Sequence, residues 1–388
     1  MQTGSNKRLQ LVDALRGFAI VSIMLLHNIE HFDFYYTPES LPAWMVVVDK
    51  WIWDVLFFLF SGKSYAIFAL LFGFTFYIQM SRQQQRGADF GGRFAWRMFL
   101  LLLFGVVNTA FYQGDILTQY AVIGLVLIPF RKVNNRVLIW SAAFLLFQPT
   151  EWLRFFISST QAGVNPGDPA SWAYFGQMHT YITGSSFIDT VVGNLSNGKT
   201  AVVLWTWENG RVLQTAGLFL LGFYLGRKEY FNDYQSSRKF WWQVLIVSLL
   251  AFAPLYFLNK SLDTVVDREV LRRPLQTIFG SWTNLAFLGI LLSGFVLLYS
   301  QKSFKLLANH LSPIGRMSLS NYILQSIMGS IIYYGFGLGL YRYTGATYSL
   351  LIGIALAVLQ GLFSKWWMKR HAQGPLETLW HKATWIKI

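Results

Sequence analysis

Residues 11–31 read LVDALRGFAIVSIMLLHNIEH, and this stretch decides the class of the chain. It is apolar enough to cross a bilayer, yet it holds Asp13, Arg16 and His27. Ionisable side chains at membrane depth are costly, so by default they mark function. Eleven residues make close to three whole turns, so Arg16 and His27 share one helix face, roughly 16 Å apart along the axis. Asp13, three residues before Arg16, is placed to pair with it.

The pattern extends along all 388 residues, of which 54% are hydrophobic and only 13% charged. A soluble domain averages about 25% charged residues. The composition therefore predicts an all-α, polytopic integral membrane protein forming one transmembrane domain over 1–388. About ten spans have the length a bilayer requires: 11–30, 54–81, 94–112, 115–131, 136–158, 199–226, 239–258, 275–300, 314–337 and 343–367. The net charge of +14 does not point to nucleic acid, because the basic residues sit in short clusters between apolar runs. The absence of Cys excludes disulfides, thiolate metal sites and a cysteine nucleophile. Asp13 and Arg16 interrupt the first span and no small-residue cleavage site follows it, so no signal peptide is expected.

Basic clusters alternate with the spans: Lys7 and Arg8, then Arg82, Arg86 and Arg93, then Arg131, Lys132 and Arg136, then Arg227 and Lys228. By the positive-inside rule both termini are cytoplasmic, which puts Arg16 toward the inner leaflet and His27 toward the outer. Arg268, Arg272 and Arg273 break the alternation. Residues 159–198, rich in Gly, Ser, Thr and Asn, are expected to form an outer loop, as a lid or an amphipathic surface piece. Residues 371–388 read as a cytoplasmic tail.

Further polar residues interrupt the apolar runs. Lys63 follows Gly62 inside the second span, where a broken helix would face a cavity. Asp115 either caps the helix it precedes or serves a site. Glu208 and Arg211, spaced i, i+3, either neutralise each other or line a substrate pocket. Arg316 either snorkels to the interface or binds a ligand. Asn321 and Gln325 are interhelical hydrogen-bond glue or pocket residues. His27 itself is either a hydrogen-bonded surface histidine or a general base, since imidazole titrates near neutral pH.

Two motif look-alikes are set aside. Ser61-Gly62-Lys63-Ser64 ends like a phosphate-binding P-loop, but Phe57 stands where the first Gly belongs and no strand precedes it. His27-Asn28-Ile29-Glu30-His31 matches the H-x-x-E-H pattern of a zinc site. It has no evident third ligand, so His31 reads as an interfacial residue and no metal is expected.

The sequence resembles the YeiB-like family, the group called domain of unknown function 418. The resemblance rests on 11–28, IFALLFG (67–73), GDILTQYAVIGL (114–125), GLFLLGFYLG (217–226), GRMSLSNYILQSIMGSIIYY (315–334) and GPLETLW (374–380). That family is related to transmembrane acyltransferases, including lysosomal heparan-glucosaminide N-acetyltransferase and the bacterial acyltransferase family three. In the latter, an Arg or Lys and a His separated by ten residues on the first span are tied to catalysis. Arg16 and His27 match that pattern, although many YeiB-like members carry Asn in place of the His. The resemblance implies a multi-pass protein of the bacterial inner membrane. Acetyl-coenzyme A or another acyl-coenzyme A would be the cytoplasmic donor, and a sugar, lipid or small-molecule hydroxyl or amine the outer acceptor. His27 would be the base, with Asp115 orienting it or the acceptor. Arg16, Lys63 and Arg316 would hold the donor, and Glu208, Arg211, Asn321 and Gln325 would border the substrate. A homodimer is compatible with this. The alternative is a transporter or channel for a small or lipid-linked substrate, with Lys63, Glu208, Arg211 and Arg316 along its path.

Overall fold

Helices account for all the regular structure in residues 9–160 and 167–386, which a computed structural model of the protein describes, and no strand occurs among them. Lys7 and Arg8, part of 159–198 and the end of the 371–388 tail lie outside the described residues. In chain order, α1 is Gln10–Ile29, α2 Ala43–Phe60, α3 Ser64–Gln84 and α4 Gly91–Phe111. Next come α5 Leu117–Phe130, α6 Asn135–Leu146 and α7 Pro149–Thr160. Three short helices follow, α8 Ala170–Gly176, α9 His179–Ile182 and α10 Phe187–Gly193. A π-helical stretch then leads into α11 Lys199–Glu208, α12 Arg211–Arg227, α13 Arg238–Val265 and α14 Glu269–Tyr299. The rest of the chain forms α15 Lys302–Asn309, α16 Ser312–Arg316, α17 Ser318–Tyr333, α18 Ala346–Met368 and α19 Pro375–Thr384.

Six helical stretches among the described residues are long and apolar enough to cross a membrane: α1, α2 with α3, α4, α13, α14 and α18. Several of the runs read as single spans are interrupted, and each interruption has a local cause. Gly62 between α2 and α3 has φ +75°, and Gly210 between α11 and α12 has φ +62°. Gln148 before α7 has φ +63°, next to Pro149, which lacks an amide to continue the ladder. Each break falls in a short polar stretch, residues 61–64, 148–151 and 208–211, and of these only the one at Gly62 is anticipated by the sequence.

The position of each helix follows from what it buries. The apolar window of α1 is 72% buried, whereas that of α13 is 6% buried. Thus α1 is the axis of the bundle, packed against α3, α16, α17 and α18. By contrast α13 leans on α14 and exposes Ile246, Val247, Leu249, Leu250 and Phe257, the surface a lipid tail would cover. Close contact between α3 and α12 depends on missing side chains: a Cβ on Gly73 would lie 1.9 Å from the Phe219 carbonyl oxygen, and one on Gly222 1.8 Å from that of Leu70. Small residues of this kind are how helices approach within a membrane, where burial from water supplies no driving force.

Most of residues 170–198 are helical, with breaks at 177–178 and 183–186, and Met178, Tyr181 and Ile182 join Phe32, Tyr112, Tyr333 and Tyr334 in an apolar cluster. The segment is held by that burial and by bonds such as Gly335 N–H to the Ile182 carbonyl, 2.8 Å. The 371–388 tail is likewise docked: α19 packs on α4 and α17.

Candidate functional site

The C-terminal end of α1 carries His27 into a compact polar cluster. The helix finishes at Ile29, and His31, Phe32 and Asp33 then all take left-handed backbone conformations, with φ of +47°, +57° and +66°. Three such residues in a row, none of them Gly, cost of order 1–2 kcal/mol each. On a continuing helix Asp33 would point away from His27, being six residues on. The left-handed turn instead folds it back. The ligating atoms of His27, Glu30 and Asp33 all lie within 4.8 Å of one another.

Hydrogen bonds fix the imidazole. Its Nδ1 lies 3.1 Å from Glu30 Oε2, with the Tyr112 hydroxyl 3.2 Å from Nδ1 and 3.5 Å from Nε2. With the Nδ1 proton donated to Glu30, Nε2 keeps its lone pair and can accept a proton. Tyr35 donates to Glu30 Oε1 at 3.3 Å, and Tyr112 donates to Asp33. Burial and the neighbouring Glu30 hold the Asp33 carboxyl above its ordinary range, and burial pushes the Tyr112 phenol up as well. Gly114 leaves the space these groups occupy: a Cβ there would sit 2.3 Å from both Asp33 Oδ2 and the Tyr112 hydroxyl.

The other end of α1 borders a cavity of 320 Å³. Its polar lining is basic, from Arg16, Arg97 and Arg316, and its walls are aromatic and aliphatic, including Phe68, Phe72 and Tyr120. It adjoins a second cavity of 460 Å³ that adds Arg82 and Arg86, the two sharing Gln79, Arg97, Gln373 and His381. Arg16 is steered by Asp13 Oδ1 at 3.1 Å and Thr75 Oγ1 at 2.6 Å. The Arg97 guanidinium stacks 4.0 Å over the Trp380 ring, while Trp380 Nε1 donates to the Arg97 carbonyl at 3.2 Å. Glu377 accepts from the Leu319 and Ser320 amides at 2.7 and 3.2 Å and thereby caps α17. Burial raises its carboxyl above the usual range. The cavity reaches Ile116 and Tyr322 at its deep end. The Tyr322 hydroxyl accepts from the Ile116 amide at 3.2 Å, and both residues line the cavity.

The family described as Protein of unknown function (DUF418) matches residues 225–387. Similarity to individual proteins runs nearly end to end. The chain is 30% identical to "Uncharacterized protein YxaH" of Bacillus subtilis (strain 168), over 99% of this chain and 96% of the relative. This chain belongs to the DUF418 family. A second relative, "Uncharacterized protein YeiB" of Escherichia coli (strain K12), is 26% identical over 96% of this chain and 95% of its own length.

In this DUF418 protein the expected site residues divide between several places. Arg16 and Arg316 share the cavity, Arg316 donating to the Ala372 carbonyl at 2.9 Å. Lys63 does sit at a helix break, but it lies between the Phe58 and Phe287 rings, 5.8 and 5.3 Å away, and does not line that cavity. Asp115 accepts from Asn108 Nδ2 at 2.9 Å and the Thr118 amide at 2.8 Å, with Lys199 at 3.9 Å. It is thus a buried cap at the start of α5, while Glu30 and Tyr112 are the groups that bond His27. Glu208 and Arg211 do not pair with each other, because left-handed Gly210 breaks the helix between them. Glu208 instead accepts from the Ser171 hydroxyl at 2.6 Å, and Arg211 stacks on Tyr65 at 4.6 Å. Asn321 Nδ2 donates to the Ile314 carbonyl and Ser364 Oγ, and Gln325 Nε2 donates to the Ile20 carbonyl and Gln360 Oε1, as interhelical glue. His31 is not interfacial: it is buried, with Nε2 3.0 Å from Ser349 Oγ and 3.2 Å from Thr344 Oγ1. Burial lowers its pKa to about 4.

Sequence reasoning missed Asp33, Tyr112, Thr75, Arg97 and Trp380. Tyr112 lies in the FYQGD turn, and its Gly114 was a signal for close packing. Asp33 had no comparable signal, since nothing in His31-Phe32-Asp33 announces a left-handed turn.

Proposed function

We propose that this protein is a membrane-bound acyltransferase that moves an acetyl or other acyl group from acyl-coenzyme A to a hydroxyl or amine acceptor. In this reading the chain makes ten passes through a bacterial inner membrane with both termini cytoplasmic. The Arg16 end then faces the cytoplasm, where the donor is made, and the His27 end faces the acceptor.

One observation carries the reading: the pair of adjoining cavities at the Arg16 end. Arg82, Arg86 and Arg97 offer a basic mouth suited to phosphates, and the aromatic inner cavity suits the long, uncharged thioester arm. The arm would run along α1 toward Tyr322 and the cluster beyond it. There the acceptor oxygen or nitrogen attacks the thioester carbonyl while His27 Nε2 takes its proton. The carbon–sulfur bond breaks, and the proton passes to the departing thiolate. Glu30 holds the ring and offsets the charge it gains, as carboxylates do in histidine-based acyl transfer. Arg16 and Arg316 would hold donor charge. Lys63, Asp115, Glu208, Arg211, Asn321 and Gln325 would act by shaping the bundle. Transport has less support, because of the four charged residues expected along its path only Arg316 lines the cavity.

The test is release of coenzyme A from acetyl-coenzyme A by the purified protein. His27→Ala should lower turnover by about 10²–10⁴-fold while donor affinity holds. Retained turnover would sink the base assignment, and absence of any coenzyme A binding to the wild type would sink the reading as a whole.

A further inference from the structure

The His27 cluster carries more negative charge than acyl transfer asks of it. Glu30 is 6% exposed and Asp33 is half-buried, yet among the described residues neither forms an ion pair with a lysine or arginine. His27 is the only basic side chain bonded to Glu30. A buried and a half-buried carboxylate converging without a fixed cation are unfavourable unless a proton or a metal ion joins them.

We infer that His27, Glu30 and Asp33 form a binding site for one divalent d-block cation, of the Zn²⁺ type. The chemistry of the donors selects the class. One imidazole nitrogen with two carboxylates suits zinc and its neighbours, whereas Mg²⁺ and Ca²⁺ prefer oxygen alone. The geometry is close to that of a loaded site. Two ligands bound at about 2.1 Å to one ion stand roughly 3.0–3.4 Å apart, and His27 Nδ1 lies 3.1 Å from Glu30 Oε2. The third donor, Asp33, needs only a modest inward shift, since all three atoms already fall within 4.8 Å. The spacing is i, i+3, i+6, and the left-handed turn at 31–33 is what brings the last donor onto the site of the first two. This differs from the H-x-x-E-H reading, because His31 is turned away onto Ser349 and Thr344. Tyr112, bonded to Asp33, supplies the outer support that metal-bound carboxylates use.

The inference does not rest on acyl transfer. The two roles of His27 exclude each other: an ion on Nδ1 leaves the ring proton on Nε2, so the loaded protein lacks a free base there.

The experiment uses the full-length protein in detergent, stripped with chelator and titrated with Zn²⁺ by calorimetry in two buffers of different ionisation enthalpy. One ion should bind per chain, with the same stoichiometry in both buffers, as the ring proton moves from Nδ1 to Nε2 and the Nδ1–H···Glu30 bond gives way to the metal. Asp33→Asn and Glu30→Gln should each weaken binding by at least about tenfold. Zn²⁺ should raise the unfolding temperature of the wild type and leave that of Asp33→Asn unmoved; the second variant serves if the first fails to fold. Absence of Zn²⁺ binding, binding indifferent to both substitutions, or Mg²⁺ held as tightly as Zn²⁺ would each overturn the site. Coenzyme A binding to the same stripped protein is read separately, so failure of the metal site and failure of the acyltransferase reading remain distinguishable.

Discussion

At one end of α1, arginines 16, 97 and 316 border an open cavity floored with aromatic rings; at the other, an imidazole and two carboxylates are drawn together by a strained turn. The first arrangement is roomy and suited to a large anionic molecule. The second is tight and suited to a proton or a small cation. The contrast teaches that a single buried helix can carry two unlike electrostatic environments, provided about three turns separate them.

The sharpest challenge to this division removes the scaffold common to both ends. Gly73→Val places a side chain against the Phe219 carbonyl, 1.9 Å from the ideal Cβ position. Overpacking of this kind costs about 1–3 kcal/mol or more, so the unfolding temperature in detergent should fall and both ends should fail together. Loss at one end alone would show that the ends are built independently. Next in size, Glu30→Gln replaces the carboxylate that holds His27 Nδ1 with a neutral amide. Turnover should fall by about 10–10³-fold with coenzyme A affinity unchanged; a weakened donor affinity would erase the distinction between the ends. Removing Arg82 and Arg86 together should do the reverse. The donor KM should rise by roughly tenfold with kcat preserved, and the difference should shrink as salt is added.

The smallest effect concerns pH. The pKa of His31 in the folded protein is about 4, below its ordinary value of 6.5. Its stabilising bonds are therefore fully present above pH 6.5 and are lost as pH falls through about 4. Thermal unfolding should show the wild type losing stability over that window, and His31→Gln should show a flatter profile. Equal slopes in the two proteins would mean that His31 is not buried as a neutral ring.

The helical class and the pairing of Arg16 with Asp13 were legible because hydropathy and helical period are local properties. The family was legible for a related reason, in the short stretches at 114–125, 217–226 and 374–380, where small and polar residues punctuate apolar runs. Span limits were less accessible: Gln148 and Gly210 take left-handed conformations within polar stretches too short to stand out from the long apolar runs on either side. The partners of each polar residue were harder still. Glu208 had pairing with Arg211 or a pocket role as its expected alternatives, but it reaches Ser171, thirty-seven residues away in sequence. His31 looked like a surface residue until α18 supplied Ser349. Such pairings depend on which helices become neighbours, and no periodicity encodes that.

The capping of α17 by Glu377 also orders events in time. Arg16 leaves the ribosome early, in the first described helix, whereas the arm that closes its cavity through Glu377 and Trp380 lies in the last. A nascent chain therefore forms most of its bundle while this cavity still lacks one wall. Until α19 docks, the α17 amides of Leu319 and Ser320 stay unsatisfied and Arg97 lacks its Trp380 platform. The cavity wall is thus complete only in a chain translated through Trp380.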